Sequence, residues 1–165
     1  DEAYRRYAIE ANQGTTNLAT FRAIAKKYSH VPPELILRDL VASTPGTEGK
    51  WFAAAKDAGL FALAAELANQ SPTDPRTLTR AARDFAVDQP QFAIHAALSA
   101  LRWIARGHGY EITGADILDT AQALQQASTQ AGVDQQPLSA LLAPILAEAP
   151  PRHLLHQVLS PFVKA

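Results

Sequence analysis

Apolar residues in this chain recur at helical spacing in short blocks, and each block is cut off by proline or glycine. Tyr4, Tyr7, Ala8 and Ala11 make the first stripe, stopped at Asn12-Gln13-Gly14. Thr15 or Thr16 can cap a second helix with Leu18, Phe21, Ile24 and Ala25 on one face. The spacing predicts further helices over about 33–42 with Leu35, Ile36 and Leu40, and after the Pro45–Gly49 loop with Trp51, Phe52 and Ala55, ended by Gly59. Leu60, Phe61, Ala64, Leu67 and Ala68 form the next stripe. Asp74-Pro75 starts a helix reaching about Asp88, Pro90 starts one reaching about Arg106, and Thr113 to Asp116 is a capping box before Ile117, Leu118, Ala121 and Leu124. Gly132 ends that helix. The last third carries Leu138, Leu141, Leu142 and Ile145, then Leu154, Leu155, Val158 and Leu159, with Pro144 placed to kink or divide the pattern. No period-two run of β-branched residues is framed by hairpin turns. The expected fold class is therefore all-α: antiparallel helix pairs stacked as a short α-solenoid, or an irregular helical bundle.

A chain of 165 residues can bury a core of this kind as one domain, 1–165, and subdivision at 1–49, 50–131 and 132–165 follows the clearest loops. With 47% hydrophobic and 19% charged residues it has the balance of a folded chain. A formal net charge of -1 provides no global field toward nucleic acid or an anionic membrane. Absence of cysteine excludes disulfides, thiolate metal sites and a cysteine nucleophile, and fits a cytoplasmic setting. No apolar stretch approaches the roughly 20 residues of a membrane span. Residue 1 is Asp, and the chain reads as part of a longer protein.

Phe61-Ala62, Ala65 and Leu67 match Phe92-Ala93, Ala96 and Leu98 at a constant offset, as Asp57 matches Asp88, a pattern expected of repeated helix pairs. Gly59-Leu60-Phe61 with Ala64 resembles the turn of a tetratricopeptide repeat, the second copy having Pro90 and His95 at the glycine and alanine positions. Tyr4-Arg5-Arg6-Tyr7-Ala8, Leu18-Ala19-Thr20-Phe21-Arg22, Gly49-Lys50-Trp51-Phe52-Ala53-Ala54-Ala55-Lys56 and Ala81-Ala82-Arg83-Asp84-Phe85-Ala86 together are similar to the helical C-terminal region of uncharacterised bacterial proteins. That resemblance implies a bacterial source and helical repeats, and no activity.

The motifs of phosphate-binding loops, dinucleotide folds, metalloproteases, serine hydrolases and calcium loops are missing. His153 and His156, three apart, could share a helical face toward a metal, but no acidic residue stands near them on that helix, so neither metal nor other cofactor is expected. Asp84 and Asp88 are explained by pairing with the adjacent Arg80 and Arg83, Asp116 by capping, and Asp119 by an outward position. The chain is read as no enzyme.

Basic residues carry the one functional pattern. Arg76, Arg80 and Arg83 follow one helical face, Arg102 and Arg106 repeat the spacing on the next helix, and antiparallel packing would put Arg76 and Arg106 at the same end. Converging guanidinium groups suit a carboxylate or phosphate. The expected function is a non-catalytic protein-interaction module that binds a peptide or helix, possibly an acidic one, in a groove between helix pairs through these five arginines. Two alternatives are nucleic-acid binding through this patch or through Arg5, Arg6, Arg22, Lys26 and Lys27, and a structural self-association domain using apolar surface at Leu154, Leu155, Val158 and Phe162. Against nucleic acid, Tyr4, Tyr7 and Phe21 are expected on core faces, where they cannot stack with bases.

Overall fold

Local capping sets several helix ends. Thr113 Oγ1 accepts from the Asp116 backbone N–H at 3.3 Å while the Asp116 carboxylate accepts from Thr113 N at 2.8 Å, a reciprocal capping box that starts a helix over Gly114–Ala131. Thr16 accepts from Ala19 N, and Asp74 from Arg76 N, at two other starts. Two stops share one geometry: Leu60 N bonds to Ala55 O and Gly59 N to Lys56 O, and likewise His108 N to Trp103 O and Gly107 N to Ile104 O. Both glycines have positive φ, 75° at Gly59 and 87° at Gly107, which this doubly bonded helix ending requires.

The structure, a computed structural model, describes residues 2–132 and 136–163, apart from the Arg6 side chain. It is all-α, and among the described residues there is no strand. By its internal contacts the chain divides into two compact units, Asp1–Ser71 and Pro72–Ala165. The 49/50 position falls inside the first unit and 131/132 inside the second.

The first unit contains α1 (Glu2–Ala11), α2 (Asn17–Lys27), α3 (Pro33–Ser43), a 3₁₀ turn (Glu48–Trp51), α4 (Phe52–Asp57) and α5 (Phe61–Gln70). Its interior is built from Phe21, Ile24, Ile36, Leu37, Leu40, Trp51, Phe52 and Leu67. Tyr4 is buried and donates its hydroxyl to Asp39 Oδ2 at 2.7 Å, tying α1 to α3. Burial and this bond push the Tyr4 phenol well above its ordinary value.

The second unit contains α6 (Pro75–Phe85), α7 (Pro90–Ala105), α8 (Gly114–Ala131), α9 (Leu138–Glu148) and α10 (Leu154–Val163). Alanines at 82, 93, 96, 97 and 121 are almost fully buried and let α6, α7 and α8 approach closely, and Leu101, Ile117 and Leu124 share one core with Leu142 of α9 and Leu155 and Leu159 of α10.

Several expectations change. Tyr7 is 57% exposed and Leu35 48%, while Leu37, outside the expected stripe, is fully buried. Leu118 also faces water. The helices begun by Pro75 and Pro90 end at Phe85 and Ala105. Helix α9 runs through Pro144: Ala140, whose carbonyl loses its N–H partner, lies on the exposed side, where water can replace the bond. The matched positions of the offset differ in burial, Ala62 being exposed and Ala93 buried.

Candidate functional site

The face of α6 opposite its buried Leu78, Ala81 and Ala82 carries Arg76, Arg80 and Arg83. Helix α8 runs beside α6 in the same direction, as two bridges show. Arg76 Nε and Nη2 reach Asp116 Oδ1 and Oδ2 at 3.2 and 3.0 Å, and one turn further along both helices the Thr79 and Thr120 hydroxyls meet at 2.6 Å. Between the helices lies a recess of about 160 Å³, lined by Arg76, Arg80 and Arg83, by Asp116 and Asp119, and by an apolar floor that includes Ile104 and Ile112.

Arg76 belongs to the wall of this recess. Its guanidinium also donates to Tyr110 O at 2.6 Å and Glu111 O at 3.0 Å, which holds the loop after α7 against the start of α6. Glu111 has φ 45°, a left-handed conformation costly for a residue with a Cβ, so this grip has a strained loop to hold. The Arg76 bond, followed by the Thr113 backbone bond, keeps the Asp116 carboxyl below its ordinary range.

Arg80 and Arg83 differ from Arg76. Both are exposed, and neither makes a hydrogen bond or ion pair among the described residues. The expected pairing with Asp84 and Asp88 does not occur there: all four side chains are exposed, and solvation competes with such local pairs. Asp119 is likewise exposed, in the α8 wall. The hydroxyls have no proton to spare. Thr120 donates to Asp116 O at 2.9 Å, so Thr79 must donate to Thr120.

Arg102 and Arg106 do not join the recess. Arg106 does lie at the same end as Arg76, as antiparallel packing of α6 and α7 requires, but it turns to α9: its Nε and Nη2 reach the Glu148 carboxylate at 2.9 and 3.1 Å, and its guanidinium covers the Trp103 ring at 5.2 Å. Arg102 contributes its charge to the same carboxylate, which lies below its ordinary range chiefly because of the Arg106 bond. The five-arginine group is therefore two groups, one on either side of α7. Thr79, Asp119, Thr120, Ile104 and Ile112 were not foreseen at the site. Only Thr120, a hydroxyl set into the apolar stripe of α8, gave a sequence signal.

In the first unit Arg22 is closed on Asp57 at 3.2 and 2.7 Å, and Lys27 lies 5.7 Å from the Tyr28 ring centre. Arg5 and Lys26 are exposed; the Arg6 side chain lies outside the described residues. His153 Nδ1 accepts from Leu155 N, and His156 Nε2 is bonded to Ala149 O, so each has a structural partner at the start of α10. Among the described residues no cluster of three potential metal ligands occurs.

The geometry defines an all-α unit with an open, mixed-charge recess between two parallel helices. No protein-family model, curated protein or solved structure matches this chain.

Proposed function

We propose that this chain is a non-catalytic protein-interaction module, and that its second unit takes an acidic peptide segment in the recess between α6 and α8. One observation carries the reading. Arg22, Arg38, Arg76 and Arg106 each hold a carboxylate, whereas Arg80 and Arg83 line a recess with neither guanidinium engaged among the described residues. Carboxylates suit such donors, and the isoleucine floor suits an aliphatic neighbour. A volume of about 160 Å³ accepts one side chain, so the bound segment is extended and only a single residue enters. The threonine hydroxyls bond to each other, which favours binding over nucleophilic chemistry. Absence of cysteine supports a cytoplasmic setting, and among the described residues no helix is long and apolar enough to cross a membrane. A bacterial origin and a repeat ancestry for the helix pairs rest on the resemblance described above.

The test is fluorescence anisotropy with a labelled decapeptide containing one glutamate flanked by leucines. Arg80→Glu/Arg83→Glu should weaken binding at least roughly tenfold, the scale of losing charged hydrogen bonds. Unchanged affinity, or no binding by the unaltered chain, overturns the reading.

Nucleic-acid binding at the first unit has one observation in its favour: exposed Tyr7 and Arg5 stand on α1 and could stack on a base. Salt-dependent binding of labelled single strands, lost in Arg5→Glu/Tyr7→Ala, would establish it. Self-association through the C-terminal apolar row has less support: Leu154 is exposed, but Leu155 is fully buried and Val158 and Phe162 pack on the core.

A further inference from the structure

We infer that the bound segment carries an aliphatic residue two positions from its acidic one, seated in a second hollow that adjoins the recess across Ile112. This rests on the reading of the recess as an acidic-peptide site. The second hollow, of about 250 Å³, lies at the start of α10, with Ile104, Ile112, Ile117 and Leu154 as its apolar lining. Ile104 and Ile112 also line the recess between α6 and α8. Contacts show how thin the divide is. A Cβ on Gly109, which lines the second hollow, would fall 2.7 and 2.9 Å from Ile112 side-chain atoms and 3.1 Å from Cγ of Pro75, which lines the recess. One half-buried isoleucine thus stands between the two spaces. Its place is fixed, because Arg76 holds the Tyr110 and Glu111 carbonyls just before it at 2.6 and 3.0 Å.

The second hollow suits an aliphatic side chain. No carboxylate, guanidinium or ammonium group lines it among the described residues, and both of its imidazoles are held in place: His108 edge-on to Trp103 at 5.4 Å, and His153 through Nδ1, which accepts from Leu155 N at 3.0 Å. Leu154 is 37% exposed there, apolar surface that a bound residue would cover. The spacing follows from the divide. Two groups that touch one isoleucine from opposite sides lie within roughly 8 to 10 Å of each other. In an extended segment adjacent residues point to opposite faces, residues two apart share a face at about 6.6 Å, and residues four apart are about 13 Å apart. Only a spacing of two fits. Arg80 and Arg83 decide which of the two spaces takes the acidic residue, since both line the recess and neither lines the hollow.

The probes are labelled decapeptides with one glutamate in a serine background, read by anisotropy, and a single leucine is placed in turn at each position within three residues of the glutamate on either side. Leucine two positions away, on one side of the glutamate, should tighten binding about fivefold or more over the leucine-free peptide, the scale of covering part of a leucine, and leucine at the other positions by less than about twofold. Leu154→Ser, whose helix content circular dichroism verifies, should shrink that gain at least roughly twofold, because the bound leucine loses an apolar neighbour. Equal gains at every position, a largest gain one or three positions away, or a gain indifferent to Leu154→Ser overturns the second hollow and leaves the acidic-peptide site standing. No binding by any of these peptides, or binding indifferent to Arg80→Glu/Arg83→Glu, overturns both.

Discussion

Arg76 holds Asp116 with two hydrogen bonds, at 3.2 and 3.0 Å, across 40 residues of sequence, and Asp116 is at the same time the reciprocal half of the Thr113 capping box. One carboxylate thus starts α8 and fastens it beside α6. Thr113→Ala removes only the cap and should cost about 1 kcal/mol. Asp116→Ala removes cap and bridge together, should cost more, and should add less than its own effect when introduced into an Arg76→Ala background. Urea denaturation of the three single variants and the double variant measures this coupling.

The same carboxylate makes stability depend on acid. Asp116 and Glu148 are both held below their ordinary values of 3.8 and 4.5, each chiefly by an arginine bond. A carboxyl group whose folded value is depressed contributes stability above its unfolded value and loses it as pH falls toward the folded one. Stability should therefore hold at neutral pH and drop on acidification below about pH 4.5, and Asp116→Asn/Glu148→Gln should drop less over that interval. Denaturation midpoints at a series of pH values check the difference in slope.

Glycine 109 has two reasons to be glycine. Its φ is 102°, and a Cβ would meet Ile112 side-chain atoms at 2.7 and 2.9 Å. Gly59 has φ 75° but open space around it. Gly59→Ala should cost about 1 kcal/mol from backbone strain alone, and Gly109→Ala about 1 kcal/mol or more beyond that, since Ile112 must move. Ile112 also lines the recess, so Gly109→Ala should weaken peptide binding where Gly59→Ala does not. Thermal melts and anisotropy on the same two variants read both effects.

Much of this architecture is written locally. The Thr113–Asp116 cap, the Asp74-Pro75 start and the stops at Gly59 and Gly107 depend on neighbours within a turn, and such signals survive in a sequence without its fold. Tyr7, Leu35 and Leu118 fall at the borders of their apolar stripes, where a spacing rule cannot tell the last covered position from the first exposed one. Leu37 was missed for the same reason. The 3₁₀ turn at Glu48–Trp51 carries no periodic signal, because one turn is too short to have a period. At the site, helical spacing correctly places Arg76, Arg80 and Arg83 on one face. It says nothing about how a neighbouring helix is rotated, so Arg102 and Arg106 could not be separated from them. The bridges from Arg76 to Asp116 and Thr79 to Thr120 span about 40 residues and exist only once α6 and α8 lie side by side.

Arg106 provides the control for that separation. Its pair with Glu148 is about half-exposed, so Arg106→Ala should cost within about 1 kcal/mol. It should leave affinity for the glutamate decapeptide within about twofold, because the bond lies outside the recess. A loss comparable to that of Arg80→Glu/Arg83→Glu would return Arg106 to the site.

The most direct test of the acidic-peptide site is a nuclear magnetic resonance titration of the ¹⁵N-labelled chain with the glutamate decapeptide, followed through the backbone amides. The account predicts concentration-dependent shifts gathered at Thr79, Arg80, Arg83, Asp119 and Thr120, with Arg102 and Arg106 little changed. Shifts gathered at Arg5, Tyr7 and Lys26, or none at saturating peptide, would contradict it.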